Sequence, residues 1–224
     1  MSPIFKKKDE AFFEKWTSKM AYVLGYILAD GSLIKNKRGA YFTEITSIDK
    51  ESIVKIRQAL DSNLKINAYQ PKNSQLRYRL QIGSKKIFSD LGKLDIKPRK
   101  TGHENLPKIP EKYFSDFLRG YFDGDGCVNI CSYKRKNRLN KSIILNSGFT
   151  SGGKKILKQL WEYLKSKKIV SGGTIYFHSR GYRLWFSIKD SLNLYFFMYP
   201  RNASKDLFLK RKKVIFEKYT KMRV

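Results

Sequence analysis

Cysteine, histidine, proline and acidic residues are all scarce in this 224-residue chain, which holds two, two, six and nineteen of them respectively. Cys127 and Cys131 with His103 and His178 fit no zinc-binding spacing. Four residues apart on an extended segment, the two thiols stand beyond disulfide reach, so both are expected to be reduced, in a reducing compartment. No apolar run approaches the ~18 residues of a membrane-spanning helix. The start, Met1 to Lys8, lacks the apolar core of about 7–15 residues that a secretory signal carries. The expected location is intracellular, a bacterial or archaeal cytoplasm or an organelle matrix, with no secretion; which of these compartments it is stays open.

The shortage of acid is matched by an excess of base. Forty-seven Lys+Arg against nineteen Asp+Glu leave a net charge of +28, one uncompensated positive charge per eight residues. Hydrophobic residues at 41% and aromatics at 14% suffice for a core, which excludes the disordered class. Like charges in such number repel one another in a compact state, and so imply a polyanionic partner. On charge alone nucleic acid is the first candidate and an anionic membrane surface the second; the partner expected is nucleic acid, with no membrane.

The chain also repeats itself. Leu24-Gly25-Tyr26-Ile27-Leu28-Ala29-Asp30-Gly31 is echoed 95 residues later by Arg119-Gly120-Tyr121-Phe122-Asp123-Gly124-Asp125-Gly126. Thr46-Ser47 ahead of Ile53, Ile56 and Leu60 is echoed by Thr150-Ser151 ahead of Ile156, Leu160 and Leu164, about 104 residues on. Tyr78–Ile82 is echoed by Leu184–Ile188 at 106. The change of offset marks an insertion, Tyr133–Lys141, with five basic and no acidic residues, which belongs on the partner's side. The period is far too long for a solenoid. It reads as two homologous α+β halves, residues 1–97 and 112–224, joined by a linker over 98–111.

Each half repeats one order: a motif helix (about Glu14–Asp30 and Lys112–Asp125), two strands, a helix (about Lys50–Leu60 and Lys154–Lys165), two strands and a final helical stretch, with Phe208–Met222 an amphipathic basic helix. Arg77, Arg79 and Gln81 fall on one strand face and Tyr78, Leu80 and Ile82 on the other; Thr174, Tyr176 and His178 oppose Ile175 and Phe177. This is the alternation of an antiparallel sheet with one buried and one polar, basic face. Asn67, Tyr69, Arg77, Arg79, Asn129, Tyr133, Arg135, Tyr176, His178 and Arg183 are expected on the nucleic-acid side.

Gly25 and Ala29 stand four apart, as do Gly120 and Gly124, so each motif helix presents a stripe of small residues. A mid-helix glycine costs ~1 kcal/mol relative to alanine, and close approach of two helix backbones is the benefit that offsets it. Asp30 and Asp125 end the two helices, ahead of Gly31 and Gly126, which read as C-terminal caps. A carboxylate there opposes the helix dipole by ~0.3–1 kcal/mol. An Asp-Gly turn accounts for either alone. Its occurrence twice, at equivalent repeat positions, points to a divalent cation held by hard oxygen ligands.

The two nine-residue runs, Val23–Gly31 and Leu118–Gly126, resemble the paired motifs of the LAGLIDADG homing endonucleases in their single-chain form. Pro98-Arg99-Lys100-Thr101 followed by Leu106-Pro107-x-Ile109-Pro110 is also similar to that family. The resemblance spans essentially the whole chain. It implies an α+β fold of two αββαββα halves, a saddle of antiparallel sheets with the motif helices at the centre, working as a monomer. It implies Mg²⁺-dependent cleavage of both strands of a long pseudo-symmetric duplex, with Mn²⁺ expected to substitute and Ca²⁺ to bind without supporting cleavage. Asp30 and Asp125 take the metal positions, assisted by the main-chain carbonyls of Ala29 and Gly124. Asp123 matches a structural position. Lys205 and its repeat partner Lys100 match the active-site lysine, where a cation would stabilise developing phosphoryl charge or orient a water. Where many relatives carry a Gln after the second strand, this chain has Ser47 and Ser151, which leaves the water-positioning residues unassigned.

Two other classes stay in view. One is a binding module of the same fold, a DNA-binding derivative or an intron RNA maturase. The other is a ribosomal-protein-like RNA binder, which charge alone would allow. Retention of Asp at both motif ends favours the nuclease over the first, and the paired acidic motif favours it over the second.

Overall fold

The computed structural model describes residues 6–98, 102, 104–134, 141–200 and 207–222. Among them are seven α-helices and two four-stranded antiparallel sheets. The first half runs α1 (Ser18–Asp30), β1 (Gly31–Lys35), β2 (Tyr41–Ser47), α2 (Lys50–Ala59), β3 (Ile66–Tyr69), β4 (Arg77–Gly83) and α3 (Lys85–Lys93). A single 3₁₀ turn, Glu111–Tyr113, precedes α4 (Phe114–Asp125), β5 (Gly126–Lys134), β6 (Lys141–Ser151), α5 (Lys154–Ser166), β7 (Thr174–His178), β8 (Gly181–Phe186), α6 (Ile188–Met198) and α7 (Lys210–Lys221). The sheets share one order, β1-β2-β4-β3 and β5-β6-β8-β7. This is the α+β repeat, with α7 added to the second copy.

By compactness the described chain divides into two units. The first contains α1–α3, β1–β4, the 3₁₀ turn and α4 as far as Gly124, with Leu207 and Phe208; the second contains β5–β8 and α5–α7. In the first, α1, α2 and α3 cover the sheet face carrying Leu33, Ile45, Leu80 and Ile82. In the second, α5, α6 and α7 cover the face carrying Val128, Leu145, Phe149, Leu184 and Phe186.

Local chemistry sets where the helices begin. α1 starts at Ser18 rather than near Glu14, because the Thr17 hydroxyl accepts from the Met20 amide at 3.1 Å and so satisfies an orphan donor. From Met20 to Leu28 every residue of α1 is buried, a run apolar on all sides that can only be a central helix. Ser84 caps α3 in the same way, accepting from Ile87. In the second sheet the expected alternation breaks at Phe177, which is 63% exposed at the end of edge strand β7, its ring set edge-on to Tyr182.

Candidate active site

The site is built from the two motif helices outward. A Cβ placed on Gly25 would lie 2.1 Å from the Phe117 carbonyl oxygen and 2.8 Å from the Tyr121 amide nitrogen. One on Gly120 would lie 2.0 Å from the Tyr22 carbonyl oxygen, and one on Gly124 2.3 Å from the Ala29 Cβ. Three glycines thus let α1 and α4 pack backbone against backbone, closer than any side chain allows. The crossing is fixed by a buried hydrogen bond, the Tyr22 hydroxyl donating to Asp123 Oδ2 at 2.8 Å. Asp123 is therefore spent on packing.

Two further residues hold α4, and neither stood out in the sequence. Arg119 is fully buried. Its Nη2 donates to Asp116 one turn earlier, its Nε donates to the Leu207 carbonyl at 2.9 Å, and its guanidinium lies over the Tyr22 ring. The spacing of Asp116 and Arg119 was a readable i,i+3 pair; its burial was not readable.

Asp30 is the last residue of α1 and half-buried. Its Oδ2 lies 3.4 Å from the position a Gly124 side chain would take, which places the carboxylate beside the end of α4. The neighbouring phenol of Tyr26 is pushed up from its usual range, first by burial and then by the Asp30 charge. It donates to the Ser47 hydroxyl at 2.9 Å, and that same oxygen accepts from the Asp49 amide at 3.1 Å. Ser47 is thus engaged in the turn from β2 into α2. Asp125 is the last residue of α4, half-buried, and its carbonyl accepts from the Thr150 hydroxyl at 3.0 Å.

Gly31 does follow α1, with its amide donating to the Ile27 carbonyl, but its φ of −97° and ψ of 159° are extended. The cap is not left-handed, so conformational freedom is not what the position needs. A Cβ there would lie 2.6 Å from the Ile27 carbonyl oxygen, so the position needs a missing side chain where helix turns into strand. Gly126 likewise opens β5.

Register gives the polar face of each sheet. In the first, Tyr69 opposes Arg77, Asn67 opposes Arg79, Arg79 opposes Thr46, and Gln81 opposes Glu44. Directly opposed residues share a face, so Asn67, Tyr69, Arg77 and Arg79 lie together. A hollow lined by Ile48, Gln70, Asn73, Ser74, Gln75 and Arg77 extends that face beyond the strands. In the second, Tyr176 opposes Arg183, Arg183 opposes Thr150, Asn146 opposes Asn129, Ser142 opposes Tyr133, and His178 pairs with Gly181. Cys127 and Cys131, both free, share the parity of Asn129 and Tyr133 on β5, and so share their face. Lys100, Arg135 and Lys205 lie outside the described residues.

Three comparisons with known proteins bear on the chain. Residues 17–93 match the model of a LAGLIDADG-like domain. Over 114 residues, 49% of this chain, it is 28% identical to an uncharacterised protein of Methanocaldococcus jannaschii, and that alignment spans 39% of the archaeal protein. Among solved structures, the LAGLIDADG meganuclease I-AabMI bound to uncleaved DNA superposes with a TM-score of 0.59 at 13% identity, covering 90% of this chain and 88% of that one. The LAGLIDADG homing endonuclease I-SmaMI bound to cleaved DNA gives 0.57 at 18% identity, covering 93% and 89%. Residues 17–93 are thus similar to a LAGLIDADG-like domain, and the fold of the chain is that of the LAGLIDADG meganucleases.

Proposed function

We propose that this chain is a monomeric, site-specific DNA endonuclease that hydrolyses phosphodiester bonds in both strands of a long, pseudo-symmetric duplex with Mg²⁺ as cofactor. The observation that carries the reading is the pair of motif helices, packed backbone to backbone through Gly25, Gly120 and Gly124 and each ending in an aspartate. A glycine-lined crossing explains the small residues. It does not explain an unfavourable carboxylate at both helix C-termini.

The donors fit a hard cation. Asp30 and Asp125 supply anionic oxygens, and the main-chain carbonyls of Ala29 and Gly124 supply neutral ones. Among the described residues no three His, Cys, Asp or Glu side chains gather at one place, so the remaining ligands fall to water and the substrate's phosphate oxygens. When bound, Mg²⁺ contributes charge stabilisation at the scissile phosphate. Tyr26, with its phenol held protonated, keeps a neutral wall beside Asp30. The basic and polar sheet faces bind and orient the duplex, phosphates by charge and base edges by hydrogen bonds. Lys100 and Lys205 are proposed to stabilise charge developing on the phosphoryl group.

The decisive experiment compares the wild type with Asp30→Asn and Asp125→Asn on duplexes selected from a randomised library. Either substitution is expected to abolish double-strand cleavage and weaken Mn²⁺ binding followed by electron spin resonance. Affinity for the duplex in Ca²⁺ should stay within about tenfold, or ~1.4 kcal/mol. Full double-strand cutting by the double variant would overturn the assignment. A wild type that cuts nothing and binds RNA more tightly than any duplex would put the maturase reading in its place.

A further inference from the structure

One carboxylate sits on the polar, basic face of the first sheet. Glu44, on β2, opposes Gln81 on β4 and Ser32 on β1, and so points to the same side as Arg79. Its Oε2 accepts from Gln81 Nε2 at 3.2 Å and lies 3.7 Å from Arg79 Nη1. Its side chain is only 17% exposed, against 39% for Arg79. The Arg79 guanidinium stands over the Tyr69 ring, 5.4 Å from its centroid, while its buried Nε has no hydrogen-bond partner among the described residues. Arg79 is therefore held on one edge by Glu44 and on one face by Tyr69, with donor capacity left over.

The fold does not require this carboxylate. In the second sheet Arg183 opposes Thr150 as Arg79 opposes Thr46, and Trp185 opposes Gly148 as Gln81 opposes Glu44, so the register sets the offset of these strands at 104 and not at the 106 of the Tyr78–Ile82 echo. Gly148 has no side chain there, and a Cβ would meet Trp185 Cε3 at 2.5 Å. The same position thus carries an acid in one half and nothing in the other. Against phosphates an acid is repulsive. Against base edges it has a use, since cytosine offers its N4 amine in the major groove while guanine offers O6 and N7 to an arginine.

We infer that Glu44 is a specificity-determining residue of the first half: it positions Arg79 for a guanine edge and itself accepts from a cytosine amine, so that the pair selects G·C. This rests on the reading that the sheet faces bind duplex DNA. The cost of placing a negative charge near phosphates is what discrimination offsets. The second sheet has no such acid, and the strand face that carries Arg183 carries Trp185 two residues on.

The test is a binding selection from a randomised duplex library with the full chain in Ca²⁺, for the wild type, Glu44→Gln and Arg79→Lys, with random-duplex affinity measured separately. The wild type should favour G·C over A·T at one position by about tenfold. Glu44→Gln should reduce that preference to under about threefold while binding random duplex more tightly, because a like charge is removed. A merely structural role would lower both together. Arg79→Lys keeps the charge but loses the planar fork, and should lose the guanine preference with random-duplex affinity held within about threefold. An unchanged G·C preference in Glu44→Gln, or weaker random binding by it, overturns the inference and leaves the nuclease reading intact. A wild type that enriches no sequence overturns both.

Discussion

At the scale of single residues, acids in this basic chain have distinct jobs, and position rather than type separates them. Asp123 and Asp125 are two residues apart on α4, yet one accepts a buried bond from Tyr22 while the other ends the helix half-buried. Tyr22→Phe removes that donor and strips a buried carboxylate of a bond, which costs about 1–3 kcal/mol. A shift of the urea midpoint of that size is expected; an unchanged midpoint would show the bond to be dispensable. Asp90 on α3 is a different case. Lys86 and Lys93 each donate to it at 2.8 Å, and these bonds hold its carboxyl below the usual range. A folded pKa below the unfolded value stabilises above the unfolded value, about 3.9 for Asp, and the benefit is lost as pH falls through the folded one. The Tm gap between wild type and Asp90→Asn should be full at about pH 6 and close below about pH 4. A gap that stays constant down to about pH 3 would remove Asp90 from the account of acid stability.

At the scale of elements, the same substitution should act with opposite sign at two helical glycines. Gly92, in α3, has nothing within 4 Å of an added Cβ. Gly92→Ala is therefore expected to stabilise by up to ~1 kcal/mol through helix propensity alone. Gly120 gains the same propensity, but its Cβ would enter the Tyr22 carbonyl at 2.0 Å, so the two backbones must separate. Overpacking of that kind typically costs about 1–3 kcal/mol or more, enough to reverse the sign. Denaturation midpoints moving the same way for both variants would contradict the crossing geometry. This is also where the sequence was most legible. Glycine at helical spacing has few reasons to exist, and its repetition at 25 and 120 marked the crossing. What the pattern did not disclose was the partner atom at each glycine, because that depends on the helix pair and not on either helix.

At the scale of the whole molecule, internal repetition made the architecture readable. Two copies of one order, each with strands of period two, leave few alternatives for where the polar faces fall. The legible part ends where pairing across strands begins. Arg77 and Arg79 are visible from the parity of β4 alone, whereas Glu44 joins them only through the β2–β4 register. Likewise, the repeat boundary in sequence differs from the division by compactness, in which α4 as far as Gly124 packs with the first unit; glycine-mediated packing, not chain order, decides that. The net charge of +28 acts at this scale too. Each phosphate neutralised releases counterions, so log Kobs for a duplex should fall linearly with log salt, at ~0.9 per phosphate. With basic side chains on both sheet faces, a slope corresponding to at least ~6 phosphates is expected. Glu44 adds a refinement, because it places one negative charge among them. Glu44→Gln should tighten random-duplex binding most at low salt, where screening is least. A slope near zero would mean that the charge serves solubility alone and that no polyanion is bound.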